Sequence, residues 1–372
     1  MTYTTPFVQF SNLCGTVYSK GTLAFTPDGN RLATPVGNRV TLFDLVNNKT
    51  ETLPIPSSCD ISAVTISPNG NLLIAVNSQG MVYLVNLPRR VVITEFRAGK
   101  KCKLVAFSPN SRLFAVTVEH SVHIYRTPGL DREFSPILPH CQWANHHNGI
   151  TSLSWTPDSQ FLLTGSKDAT GSIFKIPHKS DPKAKLRHIT MTGHHGALIG
   201  FYYSPENCEF YSVMRNSRVI ARQIIRKSDE KPVPLTEFFE QKRDCKTNIT
   251  HNVKLADSFG YALVSAYLPA TQMLVVGFKQ GILGLWQLPS MSQLQTLNVA
   301  KAPIDTVALN ATGEWIGLAS AEVGQLVVWE WQSESYVLKQ QGHSYDVNSL
   351  AYSPDGQYVV TGGDDAKVKV WN

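Results

Sequence analysis

Four side chains lie close enough in sequence to hold a metal ion: His140, Cys141, His146 and His147. Imidazole and thiolate are ligands that zinc takes, but a structural site needs two such pairs, and this segment offers no second pair at finger spacing. It leads instead into an apolar run, Ile150-Thr-Ser-Leu-Ser-Trp155, so His146 or His147 falls where a repeat unit would place a loop histidine. His194-His195, after Gly193, falls likewise. A further pair, His343 and Asp365, has the composition of a general-base dyad. No nucleophile or phosphate-binding motif accompanies it: G-x-S-x-G, H-E-x-x-H, G-x-x-x-x-G-K-S/T and G-x-G-x-x-G are all absent from the chain. No catalytic residue, cofactor or metal is assigned, and the expectation is a protein without enzymatic activity.

Positive charge is the more informative chemistry. Arg89, Arg90, Arg97, Lys100, Lys101 and Lys103 stand together against one acid, Glu95. Lys175, Lys179, Lys183, Lys185 and Arg187 surround a single Asp181, and Arg215, Arg218, Arg222, Arg226 and Lys227 meet no acid before Asp229. Such clusters suit a phosphate backbone, bound through charge and shape and not through sequence. They equally suit the solvated edge of a sheet, where Lys and Arg prevent edge pairing. Arg89, Arg90, Lys100, Lys101, Lys183, Lys185, Arg218 and Arg222 are the expected RNA anchors. Residues 301–372 carry four Lys/Arg against nine Asp/Glu, so this end should repel RNA and favour a protein neighbour.

The elements that position these residues follow from a repeat. Turns recur at Thr26-Pro-Asp-Gly29, Ser67-Pro-Asn-Gly70, Ser108-Pro-Asn-Ser111, Thr156-Pro-Asp-Ser159, Ser204-Pro-Glu-Asn207, Leu268-Pro-Ala-Thr271, Asn310-Ala-Thr-Gly313 and Ser353-Pro-Asp-Gly356. Their second residues are 41, 41, 48, 48, 64, 42 and 43 positions apart. Proline presets φ at the first corner, and Asp, Asn or Gly tolerates the tight geometry after it. Alternating β-branched runs flank each turn, as in Ile61–Ile66, Leu72–Val76, Met81–Val85 and Val91–Phe96. Four short strands in some 42 residues make a propeller blade. The fold class is all-β, a β-propeller with seven blades preferred. An eighth unit, residues 342–372, stops after its third strand: it closes the ring with a strand near Phe7–Phe10 or Thr16–Tyr18, or it opens a second propeller. Residues 1–341 form the first propeller on the latter reading. The insertion at 226–260 reads as a mobile loop, with Thr236–Glu240 as an outer strand.

Composition agrees with a folded chain: 42% of the 372 residues are apolar. Six scattered cysteines without a C-x-x-C suit a reducing compartment, and the N-terminus has no basic and apolar leader. A soluble, intracellular protein is expected.

The last unit identifies the repeat type. Gly342-His343, Val347–Gly356, Thr361-Gly-Gly-Asp-Asp365 and Val368-Lys-Val-Trp371 follow the WD consensus, in which His343, Thr361, Asp365 and Trp371 clamp the blade. The propeller is therefore of the WD40 type, and that assignment turns the dyad into a structural device. Beyond the consensus, Phe10–Tyr18, Thr34–Val40, Leu42–Lys49, Gly313-Glu-Trp-Ile316 and Gly324–His343, with its Glu-Trp-Gln-Ser-Glu-Ser-Tyr, resemble the periodic tryptophan protein 2 family nearly end to end. The resemblance implies a non-catalytic scaffold of the small-subunit processome, the U3 small nucleolar ribonucleoprotein. It also implies a role in pre-rRNA processing, 18S rRNA maturation and 40S assembly. Implied partners are other WD-repeat processome subunits and pre-rRNA or U3 RNA, and the implied location is the nucleolus. No membrane or small-molecule substrate is implied. The alternative is a WD-repeat adaptor of a vesicle coat or ubiquitin ligase.

Overall fold

The computed structural model describes residues 15–129, 137–177, 187–241, 244–255, 258–299 and 302–371. Their strands pair in chain order within eight antiparallel sheets. Seven have four strands, at residues 24–52, 61–97, 102–144, 150–191, 198–254, 262–298 and 306–341, and the eighth has three, at 347–371. These are blades one to eight. Blade two shows how sequence dictates the layers. Its second strand, Leu72–Asn77, is buried at every position because neighbouring blades cover both faces. Its outer strand, Val91–Arg97, alternates exposed with half-buried residues, as an edge covered on one side requires.

The recurrent turn is held by its own side chains. The hydroxyl of Thr26, Ser67, Ser108, Thr156 or Ser353 donates to the Asp or Asn side chain two residues on. The same oxygen accepts the backbone N–H that opens the next strand, at 3.0 Å for Arg31 and 2.9 Å for Leu72. The fourth residue then enters the left-handed region, at φ 74° for both Gly29 and Gly70. Glycine fills it at no steric cost. Ser111 and Ser159 adopt the same conformation in blades three and four.

Blades one to seven surround a channel of about 800 Å³ lined mainly by their first strands and by residues 18–23 ahead of blade one, with no described residue of blade eight contributing. Hydroxyls stitch one blade to the next. Thr22 Oγ1 donates to the Val64 carbonyl at 2.9 Å, Ser62 Oγ to that of Cys102 at 2.9 Å, and Ser154 Oγ to that of Phe201 at 2.6 Å. Blades one and seven also pack together, sharing a core of Leu23, Leu32, Phe43, Ala319, Leu326 and Val328. Gly317 makes that approach possible, since a Cβ there would stand 3.1 Å from the Phe25 ring.

Two expectations require correction. Thr16–Tyr18 forms no strand, and Phe7–Phe10 lies outside the described residues. Residues 15–18 instead wedge between the ring and blade eight: the Gly15 carbonyl accepts the His343 N–H, and the Thr34 hydroxyl donates to the Val17 carbonyl at 3.2 Å. The insertion also differs. Leu235–Glu240 is a helix, α1, and the outer strand of blade five is Cys245–Lys254. Leu235, Phe238 and Phe239 face inward, because the chain must cover the seam formed by Phe161, Phe201, Tyr203 and Phe210. The segment around α1 is therefore packed, and Arg226 is ion-paired to Glu237 across it.

Candidate nucleic-acid interface

The clamp residues come together as a relay in blade eight. Trp371 Nε1 donates to Thr361 Oγ1 at 2.7 Å, Thr361 meets His343 Nε2 at 2.8 Å, and His343 Nδ1 meets Asp365 Oδ1 at 2.9 Å. Burial pushes the Asp365 carboxyl up, but hydrogen bonds from His343 and from the Ser344 and Lys367 N–H groups outweigh it and hold it below the usual carboxylate range. With the His343 side chain wholly enclosed, the relay is a strut between buried polar groups and presents nothing to a substrate.

Two further histidines repeat the device. His146 meets Thr164 Oγ1 at 2.7 Å and Thr170 Oγ1 at 3.1 Å, with Asp168 at 3.4 Å; Phe174 occupies the tryptophan position. His194 meets Ser212 Oγ at 3.0 Å, and the Ala169 carbonyl of blade four stands in for the missing aspartate at 3.1 Å. His140, by contrast, bonds the Pro177 carbonyl at 3.0 Å, and burial pushes the Cys141 thiol up to about 12. Among the described residues, no group of three or more His, Cys, Asp or Glu side chains could hold a metal.

Strand order divides the surface into two faces. Connections between blades, and turns between second and third strands, emerge on one face, called here the entry face. The recurrent Pro turns and the third-to-fourth-strand turns emerge on the opposite, turn face. This separates residues that the sequence clusters. Arg89 and Arg90 occupy a turn-face loop, where Arg90 is ion-paired to Glu51 of blade one at 2.7 Å. Lys100 and Lys101 lie on the entry face, beyond the seven residues of Val91–Arg97. At roughly 3.3 Å per residue that strand puts the two pairs about 23 Å apart. Arg218 is exposed on the entry face, with Nη1 3.5 Å from Asn252 Oδ1. Arg222 is only 7% exposed, and its guanidinium donates to the Gly193 carbonyl at 3.3 Å. It does not present its charge at the surface, because a third strand is covered on both faces by neighbouring blades. Lys183 and Lys185 lie outside the described residues.

The structure also brings together residues that the chain keeps apart. A cleft of about 340 Å³ opens on the entry face between blades three and four. Lys101, Lys103 and Lys167 line it with His120 and His147, and Glu119 is its one acidic lining residue. Lys103 also borders the central channel. Lys167 went unnoticed in the sequence because it stands alone there. The signal was its place in the turn ahead of Asp168, which is a second-to-third-strand turn and so belongs to the entry face.

Comparisons agree with this architecture. A family profile described as WD domain, G-beta repeat matches residues 139–175 and 334–372. A chain of the mitotic checkpoint complex superposes with a TM-score of 0.66 at 12% identity, covering 89% of this chain and 95% of that one. Chaetomium thermophilum Sqt1, solved bound to the N-terminus of ribosomal protein L10, superposes with a TM-score of 0.63 at 17% identity, covering 96% and 97%. These likenesses establish the propeller fold. Periodic tryptophan protein 2 of Saccharomyces cerevisiae is 39% identical over 98% of this chain and 40% of its own length. The Schizosaccharomyces pombe and Mus musculus homologs are 37% and 36% identical over 96% and 98% of this chain, and 42% and 43% of their own. The chain thus spans about two-fifths of the length of these relatives. With such identity sustained across nearly every blade, the chain belongs to the periodic tryptophan protein 2 family of WD-repeat proteins.

Proposed function

We propose that the protein is a non-catalytic scaffold of the small-subunit processome, the U3 small nucleolar ribonucleoprotein. It would act in the nucleolus, in pre-rRNA processing, 18S rRNA maturation and 40S subunit assembly. Sustained identity to the periodic tryptophan protein 2 relatives carries this reading. The buried, wholly structural use of His343, His146 and His194 is in keeping with it, since these histidines are spent on holding blades. Other WD-repeat subunits and pre-rRNA or U3 RNA are the partners.

Blade eight supports a further point about organisation. Its apolar residues lie open, with Leu350 58%, Tyr352 69%, Val368 75% and Val370 66% exposed. A strand that is apolar on exposed faces needs neighbours. We read residues 342–372 as the opening unit of a second propeller, and 1–341 as the first. Affinity purification of the tagged full-length protein tests the functional reading. Recovery of U3 RNA and pre-rRNA with processome proteins is the expected result, and recovery of coat or ubiquitin-ligase subunits without them would overturn it.

A further inference from the structure

The entry face is electrically lopsided. From blade three to blade six it carries Lys101, Lys103, Lys167, Arg215, Arg218 and Lys279, all exposed. None of these six has a carboxylate partner among the described residues, whereas Arg90 on the turn face is tied to Glu51. Glu119 and Asp168 are the acids on this arc among the described residues, and Asp168 is engaged by His146 and by the His147 N–H at 2.9 Å. Across the channel, blades one, two and seven bring Asp60, Asp305 and Glu322 to the same face, against the single exposed Lys20 at the entry to blade one. The cations are therefore concentrated on one arc of the face, where they outnumber the acids.

Two features specify what such an arc would hold. The cleft between blades three and four is walled by polar side chains, with buried Ile150 as the one large aliphatic residue in its lining. A docked protein would need an apolar anchor there, and the cleft offers none. At the far end of the arc stands Tyr261, 60% exposed, with its carbonyl bonded to the Lys279 N–H at 2.9 Å. An open aromatic ring beside a lysine, on a surface of unneutralised cations, is the combination that holds single-stranded nucleic acid: charge for the backbone and a platform for a base.

We propose that the entry face of blades three to six binds single-stranded RNA, with the Lys101–Lys103–Lys167 cleft gripping phosphates and Tyr261 stacking on a base. The proposal rests on the RNA-assembly reading above and moves the contact from the sequence clusters to one face. Arg89 and Arg90 have no part in it.

Fluorescence anisotropy with a labelled 15-nucleotide oligouridylate tests it on the full chain over a range of salt concentrations. The triple variant K101E/K103E/K167E is expected to lose at least tenfold in affinity. The slope of log affinity against log salt should flatten by about 2, for three contacts at roughly 0.7 each. Y261A should lose about tenfold and Y261F close to nothing. R89E/R90E, on the turn face, should stay within twofold of the unmodified chain. Circular dichroism and melting temperature establish folding, and K101Q/K103Q/K167Q replaces the reversal if that variant misfolds. Unchanged affinity and slope in the triple variant, equal losses in the turn-face pair, or capture of a polyglutamate peptide in preference to RNA would each overturn the proposal. Purification of U3 RNA with the tagged protein is scored separately. Its success alongside an inert entry face would reject this site and leave the scaffold role standing; its failure alongside entry-face RNA binding would do the reverse.

Discussion

Thr164 has no exposed surface and supplies the hydroxyl on which His146 closes at 2.7 Å. Thr164→Val keeps the shape and leaves an imidazole nitrogen buried without that partner, so urea unfolding should show a loss of about 1–3 kcal/mol. His194 gives a pH signature. Burial first, then the Arg222 charge, push its pKa down to about 4, against the opposing bond to the Ala169 carbonyl. The ordinary value is 6.5. The unfolded chain therefore takes up the proton first, and stability that is complete above pH 6.5 is lost as pH falls towards 4. That displacement corresponds to about 3 kcal/mol at most. Melting temperatures from pH 7 to 4 should fall more steeply in the unmodified chain than in His194→Gln. The relay of blade eight was legible in the sequence because all four of its residues stand at consensus spacing. His194 was legible only in part. Its second partner is a backbone carbonyl of the preceding blade, which carries no residue-type signal.

Strands were read from sequence more accurately than the exceptions to them. In blade two, alternation and turn residues placed four strands to within a residue of those observed, Leu72–Asn77 against an expected end at Val76. At Thr236–Glu240 the same reading failed. Six helical residues are too few to show a 3.6-residue period, and the pair Phe238-Phe239 fits a short strand as well as a helix turned inward. Tertiary packing decided it: Phe239 meets the Phe161 ring at 5.0 Å, and the Leu235 N–H donates to the Tyr203 hydroxyl at 3.2 Å. Phe239→Ala should cost about 3–5 kcal/mol if the helix is part of the seam. A loss below 1 kcal/mol in chemical denaturation would mean that α1 is only draped over it. The basic residues teach a related lesson. Neighbours in sequence are neighbours in space only until a strand intervenes, and Val91–Arg97 divides one apparent cluster between two faces.

For the molecule as a whole, the join between first and last is the distinctive contact. Among the described residues, all strand pairing lies within one blade, between strands consecutive in the chain. Blades one and seven share no strand among the described residues, so side-chain packing and the wedge of residues 15–18 hold them. A Cβ on Gly342 would come within 2.7 Å of the Val17 nitrogen and 2.9 Å of the Gly15 oxygen, both backbone atoms that have nowhere to move. Gly342→Ala is expected to dislodge the wedge at a cost of about 1–3 kcal/mol. Faster proteolytic cleavage near Lys20 should accompany it, with the blade interiors remaining protected in hydrogen exchange. Equal protection in both forms would place the strength of the join elsewhere.

The wedge has a consequence for synthesis. A blade whose strands are consecutive can form as soon as its own stretch of chain has left the ribosome, so blades accumulate in order from the N-terminus. The Gly15–His343 contact cannot form until residue 343 is made. At roughly 5–20 residues per second, that is about 15–65 seconds after Gly15 is added. Throughout that interval the inner flank of blade one, with Leu23 and Phe25, waits without its partner. The growing arc is thus an open spiral with one adhesive end, until the arrival of residues 306–343 converts it into a ring.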